Sequence, residues 1–251
     1  MKTSKFKIAL DGIIIPFVIY MAVTLVVVAI FQAITKSTDY NLVLLQGISN
    51  IFIFIVLCPL YISFKRKYDV KSKPFSFGTC LYMIPLAFSI CVIGNVLVDY
   101  IPRATENIVT TEVYKLAEEY NIFLSLFIVS VLIPIIEELI FRGFFFDAVK
   151  LISNDIIAIV FTSIAFAIAH VDFRQALYAL FAGLFLAYIR YKYRRLIYTI
   201  LLHLLMNLTT IVFVPSILAV KDLRSRLYIL FICFGMLFFT IYRINFQKNV
   251  S

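Results

Sequence analysis

Residues 122–146 read Ile122-Phe-Leu-Ser-Leu-Phe-Ile-Val-Ser-Val-Leu-Ile-Pro134-Ile-Ile-Glu137-Glu138-Leu-Ile-Phe-Arg142-Gly-Phe-Phe-Phe146. A run this long and apolar is a membrane-crossing helix, because about 20 such residues span the hydrocarbon core. Yet it carries two adjacent carboxylates and a guanidinium. A charged side chain at bilayer depth costs roughly 2.5 to 3.5 kcal/mol on insertion scales, so these groups need partners, and an intramembrane ionisable residue reads first as function. The only two histidines, His170 and His203, also fall in apolar segments, with Phe166 and Asn207 four residues away from them.

Composition agrees with a membrane body. Hydrophobic residues make up 63% of the 251, charged residues 15%, and the mean hydropathy is +1.01; a soluble domain carries about 25% charged residues. The net charge of +9 does not indicate nucleic acid, since lysine and arginine lie scattered between apolar spans, where they set topology. Four cysteines, Cys58, Cys80, Cys91 and Cys233, stand singly without C-x-x-C spacing. Neither a disulfide framework nor a thiolate metal site follows, and they read as small apolar packers.

Eight stretches approach spanning length: 10–34, 42–64, 77–101, 121–146, 155–171, 175–190, 196–214 and 226–246. The expected fold is all-α, a polytopic bundle of about eight transmembrane helices forming one integral membrane domain over 1–251, with 121–214 as its core. The link Val171-Asp172-Phe173-Arg174 is short enough to force an antiparallel hairpin. Met1 to Lys7 resembles a signal-peptide n-region, but the apolar stretch after it is too long for an h-region, so it is expected to remain as an anchor. Tyr61, Tyr68, Tyr188, Tyr191, Tyr193 and Tyr198 near span ends read as interfacial anchors, and Asp11 and Asp99 as reaching the interface.

With both termini on one side, 16 of the 23 lysines and arginines fall on that side. The bias places both termini in the cytoplasm of a cell-membrane protein. The longest opposite loop, 102–120, carries Glu106, Glu112, Glu118 and Glu119 against Arg103 and Lys115.

Helical residues four apart share a face, so Glu138 can pair with Arg142, Phe166 can shield His170, and His203 can sit beside Asn207. If the fourth and fifth helices turn around Ser153-Asn154-Asp155, Glu137 and His170 both reach roughly 25 Å from the hairpin tip. A carboxylate near an imidazole in a dry cavity can deprotonate a trapped water. A second imidazole and an amide can donate to the oxyanion that forms when that water attacks a peptide carbonyl. Glu137 is assigned as base and Glu138 as the Arg142 partner, roles that the sequence alone leaves exchangeable. Pro134, one turn before, is expected to kink the helix.

These residues resemble the CPBP intramembrane proteases, the CAAX prenyl protease 2-like or Abi family. Its motifs E-E-x-x-x-R, F-x-x-x-H and H-x-x-x-N stand here in order as Glu137-Glu138-Leu-Ile-Phe-Arg142, Phe166-Ala-Ile-Ala-His170 and His203-Leu-Leu-Met-Asn207. The resemblance implies an eight-helix endopeptidase in which a glutamate and a histidine activate water, while the second histidine and the asparagine hold the oxyanion. It covers about residues 121–214. It also implies two accounts of the water, one with a divalent metal such as Zn²⁺, for which Glu137, His170 and His203 are the candidate ligands, and one without. The H-E-x-x-H spacing of common zinc proteases is absent, which favours no required cofactor.

The expected partners are the lipid bilayer and a peptide or membrane-protein substrate. Such families process prenylated proteins, mature secreted peptides or give bacteriocin immunity; a phenylalanine-, isoleucine- and lysine-rich chain without tryptophan suggests an AT-rich bacterial genome and favours the last two. A different class of reading is a catalytically idle partner of a sensor or peptide exporter. A proton-coupled transporter is a third, and the lack of paired Gly- or Pro-broken helices in two halves weighs against it.

Overall fold

The computed structural model describes residues 4–35, 41–101, 118, 121–170 and 172–246, and among them the regular elements are all helical. The long runs fall on the eight apolar stretches: α1 (Lys5–Thr35), α2 (Leu42–Lys67), α3 (Phe77–Asp99), α4 (Ile122–Ile152), α5 (Asp155–Ile168), α6 (Phe173–Tyr193), α7 (Leu196–Val212) and α9 (Leu223–Phe246), with the short α8 (Val214–Ala219) after α7. Of these, α1 to α4 and α9 are long and apolar enough to cross a membrane. The chain is an all-α, multi-pass membrane protein. Apart from Glu118, the acidic loop 102–120 lies outside the described residues, as do Met1 to Thr3 and Val171.

Helix starts follow local chemistry. Asn41 Oδ1 accepts from the amides of Val43 (3.0 Å) and Leu44 (3.1 Å), Asn121 Oδ1 from Phe123 (2.7 Å), Asp172 from Gln175 (2.8 Å) and Asp222 from Ser225 (2.8 Å). Each cap satisfies amides that have no partner inside the helix. Outside the spans, the Ser225 amide and hydroxyl hold the Asp222 carboxyl below the usual carboxylate range.

Two helices widen at the same kind of place. In α1 the π-helical turn Leu10–Ile14 comes just before Ile15-Pro16, and in α4 the π-helical turn Ile128–Leu132 comes just before Ile133-Pro134. Proline cannot donate to the carbonyl four residues back, and its ring crowds that carbonyl. A π turn moves the pairing to five residues back, as in Ile15 N–H to Leu10 O and Ile133 N–H to Ile128 O, and relieves both problems.

The chain divides into two compact units, Met1–Lys71 with Glu106–Thr162, and Ser72–Thr105 with Ser163–Ser251; the division falls inside α5. In the first, α1 and α2 are antiparallel: Lys67 Nζ pairs with Asp11 at 2.5 Å and Tyr68 Oη donates to it at 2.6 Å. The Tyr68 phenol, beyond the end of α2, is pushed above its ordinary pKa by burial and by this carboxylate. Deeper in, Tyr61 Oη donates to the buried Asp147 at 2.7 Å, and its ring meets Phe144 edge-on at 5.1 Å. Tyr61 is therefore a core residue and not the interfacial anchor expected.

In the second unit α3 is central, packed by α6, α7, α8 and α9. At its C-terminal end Asp99 pairs with Arg174 at 3.5 Å and with Arg226 at 3.1 Å. At its N-terminal end Tyr198 Oη accepts from the Ser76 amide at 2.6 Å and stacks on Phe75. Tyr198 is 1% exposed, so it too is a core residue. These ties alternate the direction of α3, α6, α7 and α9 as successive spans require. Arg142, Arg190 and Arg226 are buried. Counting only the other cations leaves 14 against 6, so the charge bias persists without them.

Close approach of α1 to its neighbours needs Gly12: a Cβ there would lie 2.5 Å from the Ala148 Cβ and 2.9 Å from the Phe64 ring. Gly12→Ala is expected to destabilise by about 1–3 kcal/mol through overpacking. At Gly235 in α9 a Cβ would meet nothing within 4 Å, so Gly235→Ala should be neutral or stabilise by up to about 1 kcal/mol. Thermal unfolding in detergent checks both signs.

Candidate active site

The first motif lies in the first unit and the other two in the second, so each half is built within its own unit. In α4, Arg142 Nη1 donates to Glu138 Oε1 at 3.0 Å, and both side chains are wholly buried. This is the i,i+4 pair expected from spacing. Arg142 lies in a π-helical stretch, Leu139–Phe145, that begins directly after the two glutamates. The straight α-helical register assumed for the 25 Å estimate therefore stops at Glu138.

Successive helical residues point about 100° apart, so Glu137 cannot share the face that Glu138 presents to Arg142. Glu137 is half-buried. It lies within electrostatic range of the Tyr20 phenol of α1. That phenol oxygen accepts from Gln46 Nε2 at 3.3 Å, and the same amide donates to Asn50 Oδ1 at 2.8 Å. The seam Tyr20–Gln46–Asn50 was not anticipated. Its signal lay in α2, where Gln46, Ser49 and Asn50 put three polar groups on one face of an apolar helix.

In the second unit, Phe166 at the end of α5 is 2% exposed and is met edge-on by both imidazoles, His170 at 4.9 Å and His203 at 5.6 Å between ring centres. The structure thus brings both histidines to one phenyl ring. His170 is not inside a helix as expected: α5 stops at Ile168, and the 14 residues rise only about 21 Å. His170 Nδ1 lies 2.8 Å from the Phe166 carbonyl oxygen, which can only accept, so Nδ1 carries a proton. Through Nδ1 the ring caps a carbonyl at the end of α5. His203 is 6% exposed in α7, and Asn207 follows one turn later, half-buried.

Within each unit, among the described residues, no three His, Cys, Asp or Glu side chains are grouped to hold a metal ion. The set Glu137, His170 and His203 draws on both units; a carboxylate with two imidazoles is chemically a set that zinc accepts.

Comparison with curated proteins and with solved structures gave no match. Residues 119–209 match the family model described as Type II CAAX prenyl endopeptidase Rce1-like. That range runs from just before α4 to within α7 and contains the Glu138–Arg142 pair, the Phe166 ring with its two imidazoles, and Asn207. Over that segment, which carries all three motifs, the chain is similar to the CPBP/CAAX family of intramembrane proteases.

Proposed function

We propose that this protein is an intramembrane endopeptidase that hydrolyses a peptide bond in a membrane-associated peptide or protein. It acts as one integral membrane domain over 1–251, with 121–214 as catalytic core. The observation that carries the reading is the unequal treatment of two neighbouring carboxylates: Glu138 is locked on Arg142 in the apolar interior, while Glu137 is half-buried on another face. A fixed, neutralised partner beside a second carboxylate is the arrangement expected where one supports and the other reacts.

In this reading Glu137 takes a proton from water as the hydroxide adds to the scissile carbonyl carbon. His203 and Asn207 donate hydrogen bonds to the oxyanion that forms. On collapse the C–N bond breaks and the leaving nitrogen takes up the proton that Glu137 removed from the water. His170, held through Nδ1, offers Nε2 to help orient and deprotonate the water. No metal is required; if Zn²⁺ is bound, Glu137, His170 and His203 would hold it, and it would lower the pKa of a bound water. The protein sits in the cell membrane with both termini cytoplasmic, and it matures small exported peptides or gives self-immunity to a bacteriocin.

Glu137→Gln should reduce cleavage of small exported peptides encoded beside this gene by about 10²–10⁴-fold with an unchanged unfolding temperature. The assay uses purified protein in liposomes, and equal cleavage by variant and wild type moves the base elsewhere. Dialysis against a chelator before the same assay should leave the rate unchanged. By contrast, Glu138→Gln or Arg142→Met alone should cost about 3–5 kcal/mol, whereas the double change Glu138→Leu with Arg142→Met should recover most of it; denaturation midpoints report the difference. For topology, a fluorescent protein fused after Ser251 should fluoresce and an alkaline phosphatase there should stay silent. The reverse result inverts the orientation.

A further inference from the structure

The H-x-x-x-N helix is held from behind by a polar knot that no motif or spacing announces. Cys91 in α3 is fully buried, and its Sγ lies 3.1 Å from the backbone oxygen of Met206 in α7. A carbonyl oxygen only accepts, so the single thiol proton points at it. Sγ must then accept from its other neighbours, Tyr178 Oη at 3.1 Å from α6 and Thr210 Oγ1 at 3.5 Å from α7. One donor and two acceptor positions are thus all used. The cysteine expected to be a plain apolar packer is the centre of a three-helix network.

Two features show that the backbone accommodates this knot. Gly94, one turn beyond Cys91, is where Tyr178 crosses α3: a Cβ there would lie 2.8 Å from the tyrosine ring. On the same face, Asn95 Nδ2 donates to the Cys91 carbonyl oxygen at 2.9 Å. The knot also has a definite target. The Met206 carbonyl belongs to the peptide unit whose nitrogen is that of Asn207, so a bond to this oxygen fixes the rotation of that peptide plane about the α7 axis. The Asn207 side chain turns with it.

We propose that Cys91 and Tyr178 are positioning residues for Asn207, holding its amide in the orientation from which it donates to the oxyanion. This rests on the protease reading above. A misplacement of about 1 Å in a catalytic group can cost up to about 10²-fold, and loss of an oxyanion donor outright costs about 10²–10³-fold. Loosening the knot therefore lowers kcat by about tenfold, without touching the groups that bind the rest of the substrate.

The test uses the full chain in liposomes, with kcat, KM and unfolding temperature measured on a cleaved peptide. Cys91→Ala and Tyr178→Phe should each lower kcat about tenfold with KM within about twofold, while Cys91→Ser, which keeps a donor and two acceptors, restores most of the rate. In an Asn207→Ala background with residual activity, Tyr178→Phe should bring no further loss. An undiminished tenfold loss in that background, or a kcat that follows unfolding temperature and is not restored by serine, overturns the positioning role while leaving the protease reading intact. A wild type without peptidase activity, or Asn207→Ala as active as wild type, overturns the reading and this role with it. Independently of activity, the infrared S–H band that Cys91→Ala removes should lie where a hydrogen-bonded thiol absorbs; a band at the unbonded position overturns the geometry.

Discussion

Charge neutralisation inside α4 comes before everything else the chain can do. Glu138 and Arg142 are four residues apart in one helix, so their pairing requires no other helix and can exist when the segment first enters the bilayer. That matters because each charge alone would oppose insertion by a few kcal/mol. A buried pair seldom adds stability over an apolar pair of similar size, so persistence of this one in the core points to a use. The use follows from helical geometry. With Glu138 turned to Arg142, the adjacent carboxylate is rotated away onto a different face, within electrostatic range of the Tyr20 phenol, which accepts from the Gln46 amide that also donates to Asn50.

The π-helical stretches of α4 belong to the same economy. One turn precedes Pro134 and answers the missing proline donor; the other begins just past Glu138 and contains Arg142, Gly143 and three phenylalanines. Wider turns shift every later side chain relative to a straight helix, so the aromatic residues after Arg142 meet α2 where Tyr61 and Phe64 receive Phe144. A polar, functional segment and a tightly packed aromatic segment are joined within one helix by a change of winding.

Much of this was legible from residues alone. Hydropathy located the helices, and the four-residue spacing of Glu138 and Arg142 predicted their pair. What was not legible depends on tertiary partners. Tyr61 and Tyr198 have the sequence position of interfacial residues, but both are buried, and Asp147 and Ser76 give their hydroxyls partners. Nothing in Ala165-Phe-Ala-Ile-Ala-His170 signals a helix end; α5 stops because Asp172 caps the next helix so soon after it. The π-helical stretches have no residue signature of their own, although in two of the three a proline, Pro16 or Pro134, stands two positions later. Cys91 looked apolar because a thiol shows its hydrogen-bonding capacity only where two hydroxyls and a carbonyl converge on it.

The segment that matches the family is not a self-contained module, and this bears on where specificity resides. Its first part, through Thr162, packs in a unit completed by α1 and α2; its remainder packs in a unit centred on α3 and closed by α9. None of those four helices lies in the matched range. Each nevertheless touches the machinery: α1 brings Tyr20 into the field of Glu137, α2 carries the amides that orient Tyr20, α3 holds the peptide of Asn207, and α9 supplies Arg226 to Asp99 beside Arg174, four residues past His170. On the proposed reading, substitutions that alter rate or preference should therefore be found in these helices as often as in the motifs, since the motifs would supply the reacting groups and the surrounding helices hold them in place.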